Sequence, residues 1–149
     1  MSTLFAFLHH LAAFALVSAL AVEFVLVKDA PTASTARKIL LADLIFGISA
    51  GAILVIGLLR VFYFEKGAAY YFTNIPFLAK LGLFFAIGIL SIYPTKTFLS
   101  WRPDLKAGRT PILDPARMKT VRKTIHWEIA ATALLVLCAA LMARGVGSL

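Results

Sequence analysis

A bundle of four membrane-spanning α-helices is the fold this sequence predicts, and three observations predict it. Of 149 residues, 61% are hydrophobic and 15% charged, whereas globular proteins average about 25% charged. The apolar residues fall into four stretches of spanning length, roughly 4–27, 39–59, 76–99 and 124–143, each near the roughly 20 residues that cross a bilayer as a helix. Apart from Lys80 and Lys96, lysine and arginine avoid these stretches, and most gather in alternate connections. The remainder is too short and too polar for a second core, so residues 1–149 read as a single transmembrane domain.

The first stretch follows Met1-Ser2-Thr3 with no basic residue before it and exceeds the short apolar core of a cleavable signal peptide, so it reads as a retained helix. The connection at 28–38 holds Asp29, Pro31, Thr32, Ser34 and Thr35, turn formers and caps that predict a tight hairpin. At 60–75, Phe62, Tyr63, Phe64, Tyr70, Tyr71 and Phe72 mix with Arg60, Glu65 and Lys66, the composition of a segment lying on the membrane surface. The third connection carries Pro103, Gly108, Pro111 and Pro115 among basic residues, which predicts an ordered loop beside anionic lipid. Tyr93-Pro94-Thr95 should kink or end the third helix, because proline removes a backbone donor.

Eleven lysines and arginines lie in connections one and three, against three in connection two and the C-terminal end. The positive-inside rule then puts connections one and three in the cytoplasm and both termini outside, in the periplasm of a bacterial inner membrane. The net charge of +8 is thereby explained without nucleic acid, for which the chain has no binding motif. The single cysteine, Cys138, lies within the fourth stretch, so neither a disulfide framework nor a multi-cysteine metal site is expected.

Function should show in the ionisable residues inside the spans, each costing roughly 2.5–3.5 kcal/mol near the bilayer centre on insertion scales. The outer group comprises His9, His10, Arg60 and Lys80. A histidine one or two turns into an apolar helix can ligate haem iron; the plainer reading is a histidine hydrogen-bonded across the bundle or lying among headgroups. Lys80 either snorkels outward or, beside His9 or His10, binds a carboxylate such as a porphyrin propionate. The inner group comprises Glu23, Asp43, His126 and Glu128, candidates for a proton relay. Against that, Asp43 reads as a first-turn dipole partner and Glu128 as an acid at a helix start. Fourteen residues separate His9 from Glu23, leaving them about 40° from eclipsed on one helix face. Asp43, Gly47, Gly51 and Leu54 form a small-residue stripe expected to touch another helix.

The His9-His10 pair, the Arg60-Val61-Phe62-Tyr63 run with Glu65-Lys66-Gly67, the stretch from Asn74 to Lys80, Tyr93-Pro94-Thr95 and Trp101-Arg102 together resemble a bacterial four-helix membrane family of unknown function (domain of unknown function 2214). That resemblance covers nearly the whole chain and implies a topology without an activity. More distantly, the chain is similar to the HemJ-type protoporphyrinogen oxidases and to copper-resistance D-like membrane families. The HemJ type pairs a helix-one histidine with a helix-three lysine, which implies His9 or His10 with Lys80 here. Where that family has a histidine two residues before its lysine, this chain has Leu78; where it has Asn-Glu-x-Pro at the start of helix four, this chain has Trp127-Glu128-Ile129-Ala130.

The sequence therefore carries three functional expectations. The first is a bundle that binds b-type haem or a related cofactor in its outer half, with His9 or His10 on the iron, Lys80 and Arg60 toward propionates, and an oxidoreductase role toward a quinone or porphyrin. Adjacent residues of one helix cannot hold one iron from both faces, so bis-histidine ligation would require two protomers of a homo-oligomer. The second is an accessory subunit that docks on a larger membrane complex through its glycine stripe and aromatic connection. The third is a small proton-coupled transporter using Glu23, Asp43 and Lys80, although no span has the paired breaks of discontinuous transport helices.

Overall fold

Helices begin where side chains satisfy the first free N–H groups, and three polar residues do this here. In the computed structural model, which describes residues 2–147, α1 spans Ser2–Leu26 and α2 spans Ala33–Leu59. The Thr32 hydroxyl caps α2 by accepting from the Thr35 amide at 3.2 Å. α2 continues without a break into a π-helical turn, Arg60–Phe64. Gly67, at φ 90°, then redirects the chain into the short α3, Ala68–Phe72. Asn74 caps α4, Ile75–Leu99, its Oδ1 accepting from the Phe77 amide at 2.9 Å. After the short α5, Arg102–Lys106, the Asp114 carboxylate caps α6, Pro115–Ala143, with proline at the favoured first helical position.

Four helical segments are long and apolar enough to cross a membrane: Ser2–Leu26, Ala33–Phe64, Ile75–Lys106 and Pro115–Ala143. The sequence expectation of an all-α, four-helix membrane fold is met, and no strand occurs among the described residues. Helices α1 and α2 pack along each other as one hairpin and α4 and α6 as a second; contacts between the hairpins, through α1 with α6 and α2 with α4, are sparser.

Three local expectations are corrected. Pro94 does not end α4, which runs on to Leu99 with Pro94 buried in its packed face; packed neighbours commonly allow a proline inside a spanning helix. α6 starts at Pro115, well before its apolar stretch, because Asp114-Pro115 forms an effective start signal inside a segment that otherwise reads as loop. Gly47 and Gly51 meet no neighbouring helix, since a Cβ at either would have nothing within 4 Å. The inward face of α2 is instead Ala36, Ile39, Ala42, Phe46 and Ser49, with Asp43 at its edge. At 100° per residue, Gly47 and Gly51 roll progressively off that face.

The buried core runs through Leu16, Leu20, Val27, Ile39, Phe46, Ile87, Phe98, Val121 and Ile125 and is densest toward connections one and three. We call this the basic end. At the opposite, aromatic end a second cluster joins Val61, Tyr71 and Phe77, so the connection between the second and third spans folds onto the bundle as a cap. The C-terminal residues close over the same end: the Gly147 carbonyl accepts from the Ile75 amide at 3.2 Å. Gly147 has φ 79°, and a Cβ there would come within 2.6 Å of the Pro76 ring, so both its conformation and its contact call for glycine.

Candidate functional site

Every spanning helix brings at least one polar side chain to a cavity of about 340 Å³ in the aromatic half. α1 contributes His9, which shares a face with the core residue Leu16 because seven residues are nearly two turns. The end of α2 contributes Gly57 and Arg60, α4 contributes Lys80, and α6 contributes Thr132. Glu65 and Tyr71 come from the cap. The remaining wall is apolar, including Leu16, Ile53, Leu81, Phe84, Ile87 and Leu135. A largely apolar cavity with a few converging polar groups is the usual form of a small-molecule site, and its volume lies at the lower end of the usual range of about 300–1,000 Å³.

His9 and His10 differ sharply within this arrangement. The His9 ring is half-buried, and its Nδ1 is buried without a hydrogen-bond partner among the described residues. Gly57 makes room for it: a Cβ there would lie 3.4 Å from His9 Cε1. His10 is exposed, and its Nδ1 pairs with the Ala6 carbonyl of its own helix at 2.6 Å. The two rings stand 6.2 Å apart and nearly perpendicular.

The cations also divide. Arg60 donates to Glu65 Oε1 through Nε at 3.2 Å and Nη2 at 2.7 Å, so its charge is already matched. Lys80 has no ion pair among the described residues; its Nζ lies 5.6 Å from the centroid of the Phe77 ring. Burial pushes the Tyr71 phenol up from its ordinary value, and the Glu65 carboxylate adds to the effect. The π-helical turn at Arg60–Phe64 widens the backbone where Arg60 and Val61 reach the cavity; such turns recur at functional sites.

One helical layer deeper lie three carboxylates from three helices, Glu23 of α1, Asp43 of α2 and Glu128 of α6: the antiparallel register that sets His9 against Gly57 and the Phe24 ring 6.1 Å from that of His126 brings all three to one level. Glu23 is 2% exposed and Glu128 1% exposed, and Oε1 of each has no hydrogen-bond partner among the described residues. Asp43 differs, because the Thr95 hydroxyl of α4 donates to its Oδ1 at 2.8 Å. The helix-end readings of Asp43 and Glu128 do not hold, since α2 starts at Ala33 and α6 at Pro115, placing both acids turns away from the helix N-termini. His126 lies on the exposed face of α6, its ring 6.1 Å from that of Phe24.

The structure thus gathers His9, His10, Arg60 and Lys80 around one cavity and Glu23, Asp43 and Glu128 in one layer, leaving His126 outside. Sequence reasoning missed Gly57, Glu65, Tyr71, Thr95 and Thr132. Glu65 was accessible as an acid five residues after Arg60 on a helical continuation. Thr95 and Thr132 carried no signal, because hydroxyls in spanning helices commonly bond their own backbone.

This architecture defines a small polytopic α-helical membrane protein with polar groups collected inside its bundle. The chain belongs to the family described as "predicted membrane protein (DUF2214)", whose model matches residues 1–147. No curated protein and no solved structure matches the chain.

Proposed function

We propose that the cavity at the aromatic end binds a flat, apolar cofactor carrying acidic groups, with b-type haem the best fit, and that the protein serves a redox role in the bacterial inner membrane. The observation that carries this reading is the His9 Nδ1, buried beside the cavity with no hydrogen-bond partner among the described residues. An imidazole whose nitrogen is left unused inside an apolar pocket is suited to an iron centre. Lys80, unpaired and lining the same cavity, offers a charge-assisted hydrogen bond to a propionate. Arg60, held by Glu65, shapes the rim and becomes available when that pair opens. Bound haem would supply one-electron chemistry; the chain's own residues would orient the group and keep water from it. Of the two histidines, His9 would hold the iron, and a haem held by one histidine would supply reactivity toward small ligands as well as electron transfer. Connections one and three, with their basic residues, face the cytoplasm and its anionic lipid in this reading.

The test is an oxidised-minus-reduced absorption spectrum of detergent-purified protein expressed with ample haem. The expected result is a Soret and α-band pair that His9→Ala abolishes, His10→Ala retains and Lys80→Ala weakens. A featureless wild-type spectrum would overturn the reading. One observation favours a second function, an accessory subunit: Gly47 is exposed in the groove between α2 and α4 and Gly51 is exposed one turn further along α2, open to a helix of a larger complex. Bulky substitution at Gly47 would then break co-purification with that complex while leaving the visible spectrum unchanged.

A further inference from the structure

The layer of Glu23, Asp43 and Glu128 has no place in the cofactor reading, and its physics is demanding. An ionised carboxylate in an apolar interior costs many kcal/mol unless it is paired and hydrogen-bonded. These three acids have no lysine or arginine paired to them among the described residues, where the ion pairs are Arg60 with Glu65 and Arg109 with Asp104. On α6, the part-buried Arg122 spends its Nε on the Val27 carbonyl, and Lys123 is exposed. All three are more than nine-tenths buried, and Glu23 and Glu128 each keep a side-chain oxygen with no hydrogen-bond partner among the described residues. Something absent from the polypeptide must neutralise them. A metal ion is disfavoured, because no group of three His, Cys, Asp or Glu among the described residues is spaced to hold one.

We propose that Glu23, Asp43 and Glu128 form a proton-holding site inside the membrane, loaded from the basic end through Asp43. The three members are not equivalent, and the difference sets the direction. Glu23 and Glu128 are sealed, whereas Asp43 lines the groove between α2 and α4 whose walls carry Arg37, Arg102 and Lys106. Arginine and lysine carry their charged heads toward water, so these three open the groove to solvent at the basic end, and the Thr95 hydroxyl donates to Asp43 along it. On the far side, Thr132 stands one turn beyond Glu128, hydrogen-bonded to its carbonyl at 2.7 Å, and lines the aromatic-end cavity. Four residues of helix rise only about 6 Å. The acids therefore lie between two openings on opposite sides of the bundle, where protons can be taken up from one and delivered toward the other. The site stands on its own geometry and does not depend on what the cavity binds.

The test uses the full chain reconstituted in phosphatidylcholine vesicles and followed by infrared spectroscopy at neutral pH. The expected result is a carbonyl band of protonated carboxyl groups that shifts in D2O. Glu23→Gln and Glu128→Gln each remove part of it, and the double variant removes most of it. Asp43→Asn keeps the remaining band but slows its deuterium exchange several-fold. Should a variant fail to fold, a hydrophobic carbodiimide supplies the readout in the wild-type chain, since it modifies only protonated carboxyl groups; adducts on Glu23 or Glu128 are expected. Absence of the band and of the adduct would overturn the proposal. So would a band lost on adding sodium chloride in place of choline chloride, which would mark a cation site. A featureless visible spectrum, by contrast, removes the haem reading and leaves this result untouched.

Discussion

The two halves of the bundle are built from the same four helices and solve opposite problems. Toward the basic end, Val27, Ala36, Ile39, Phe98, Val121 and Ile125 are each at most 1% exposed, a sealed core beside the surface groove between α2 and α4. Toward the aromatic end the same helices separate around about 340 Å³, closed by the Val61, Tyr71 and Phe77 cap. Lipid supplies no hydrophobic drive between spanning helices, so their association rests on packing and polar contacts. Packing concentrated in one half leaves the other free to open around a ligand.

The largest expected effect tests that division. Phe98 is fully buried against Trp101, their ring centroids 5.2 Å apart, and Phe98→Ala should destabilise the fold by about 3–5 kcal/mol, the range for deleting a buried aromatic. Phe84→Ala, in the cavity wall, should cost far less, because that ring already lacks neighbours on one side. Denaturant titration in mixed micelles compares the two; equal losses would show that the halves are packed alike.

Next in size is the tie between hairpins. Arg122 of α6 donates to the Val27 carbonyl at the end of α1, an acceptor the helix leaves free. Arg122→Ala should cost about 1.5–3 kcal/mol, the range for a hydrogen bond to a charged group. Arg122→Lys should recover little, because lysine cannot place the same planar donor. If the alanine variant unfolds at the wild-type denaturant concentration, the hairpins are held together by apolar packing alone.

How much of this contrast the sequence carried follows from how membranes relax patterning. The four helices were legible from length and apolarity, and the shared outer location of His9, Arg60 and Lys80 from their positions in the spans. The rotation of each helix was not legible: lipid and protein interior are both apolar, so the exposed Gly47 and buried Ala42 look alike in sequence. The depth of Asp43 and Glu128 was hidden for a different reason. Hydropathy marks where a helix enters the membrane, while Thr32 and Asp114 start α2 and α6 earlier, in polar sequence. His9 could be told from His10 only once the ring environments were known, since the sequence gives both the same neighbours.

Gly57 sharpens the comparison from the hollow half. Gly57→Ala should be tolerated, because its Cβ would make ordinary van der Waals contact with the His9 ring, and replacing a mid-helix glycine gains up to about 1 kcal/mol in helix propensity. Gly57→Leu would push the ring aside and fill the space next to it. Its expected outcome is loss of the cofactor bands with the unfolding midpoint unchanged or raised. Bands retained in the leucine variant would move the binding site away from His9.

The smallest effect concerns the rim. The Arg60–Glu65 pair is partly exposed, with side chains 23% and 28% accessible, so Glu65→Gln should cost no more than about 1 kcal/mol. Its informative consequence lies in titration. Burial and the Glu65 carboxylate both hold the Tyr71 phenol above its ordinary value of 10.0, so the folded chain keeps a proton that the unfolded chain releases. That contribution to stability is fully present below pH 10 and is lost as pH rises through the folded-state value. Tyr71→Phe should flatten the alkaline decline in stability, and Glu65→Gln should bring the tyrosinate absorbance of Tyr71 on at lower pH. Glutamine also frees the Arg60 guanidinium beside Lys80, so the same variant should bind an anionic porphyrin more tightly than wild type. An earlier tyrosinate transition without tighter porphyrin binding would confine Glu65 to the cap and remove Arg60 from the ligand's reach.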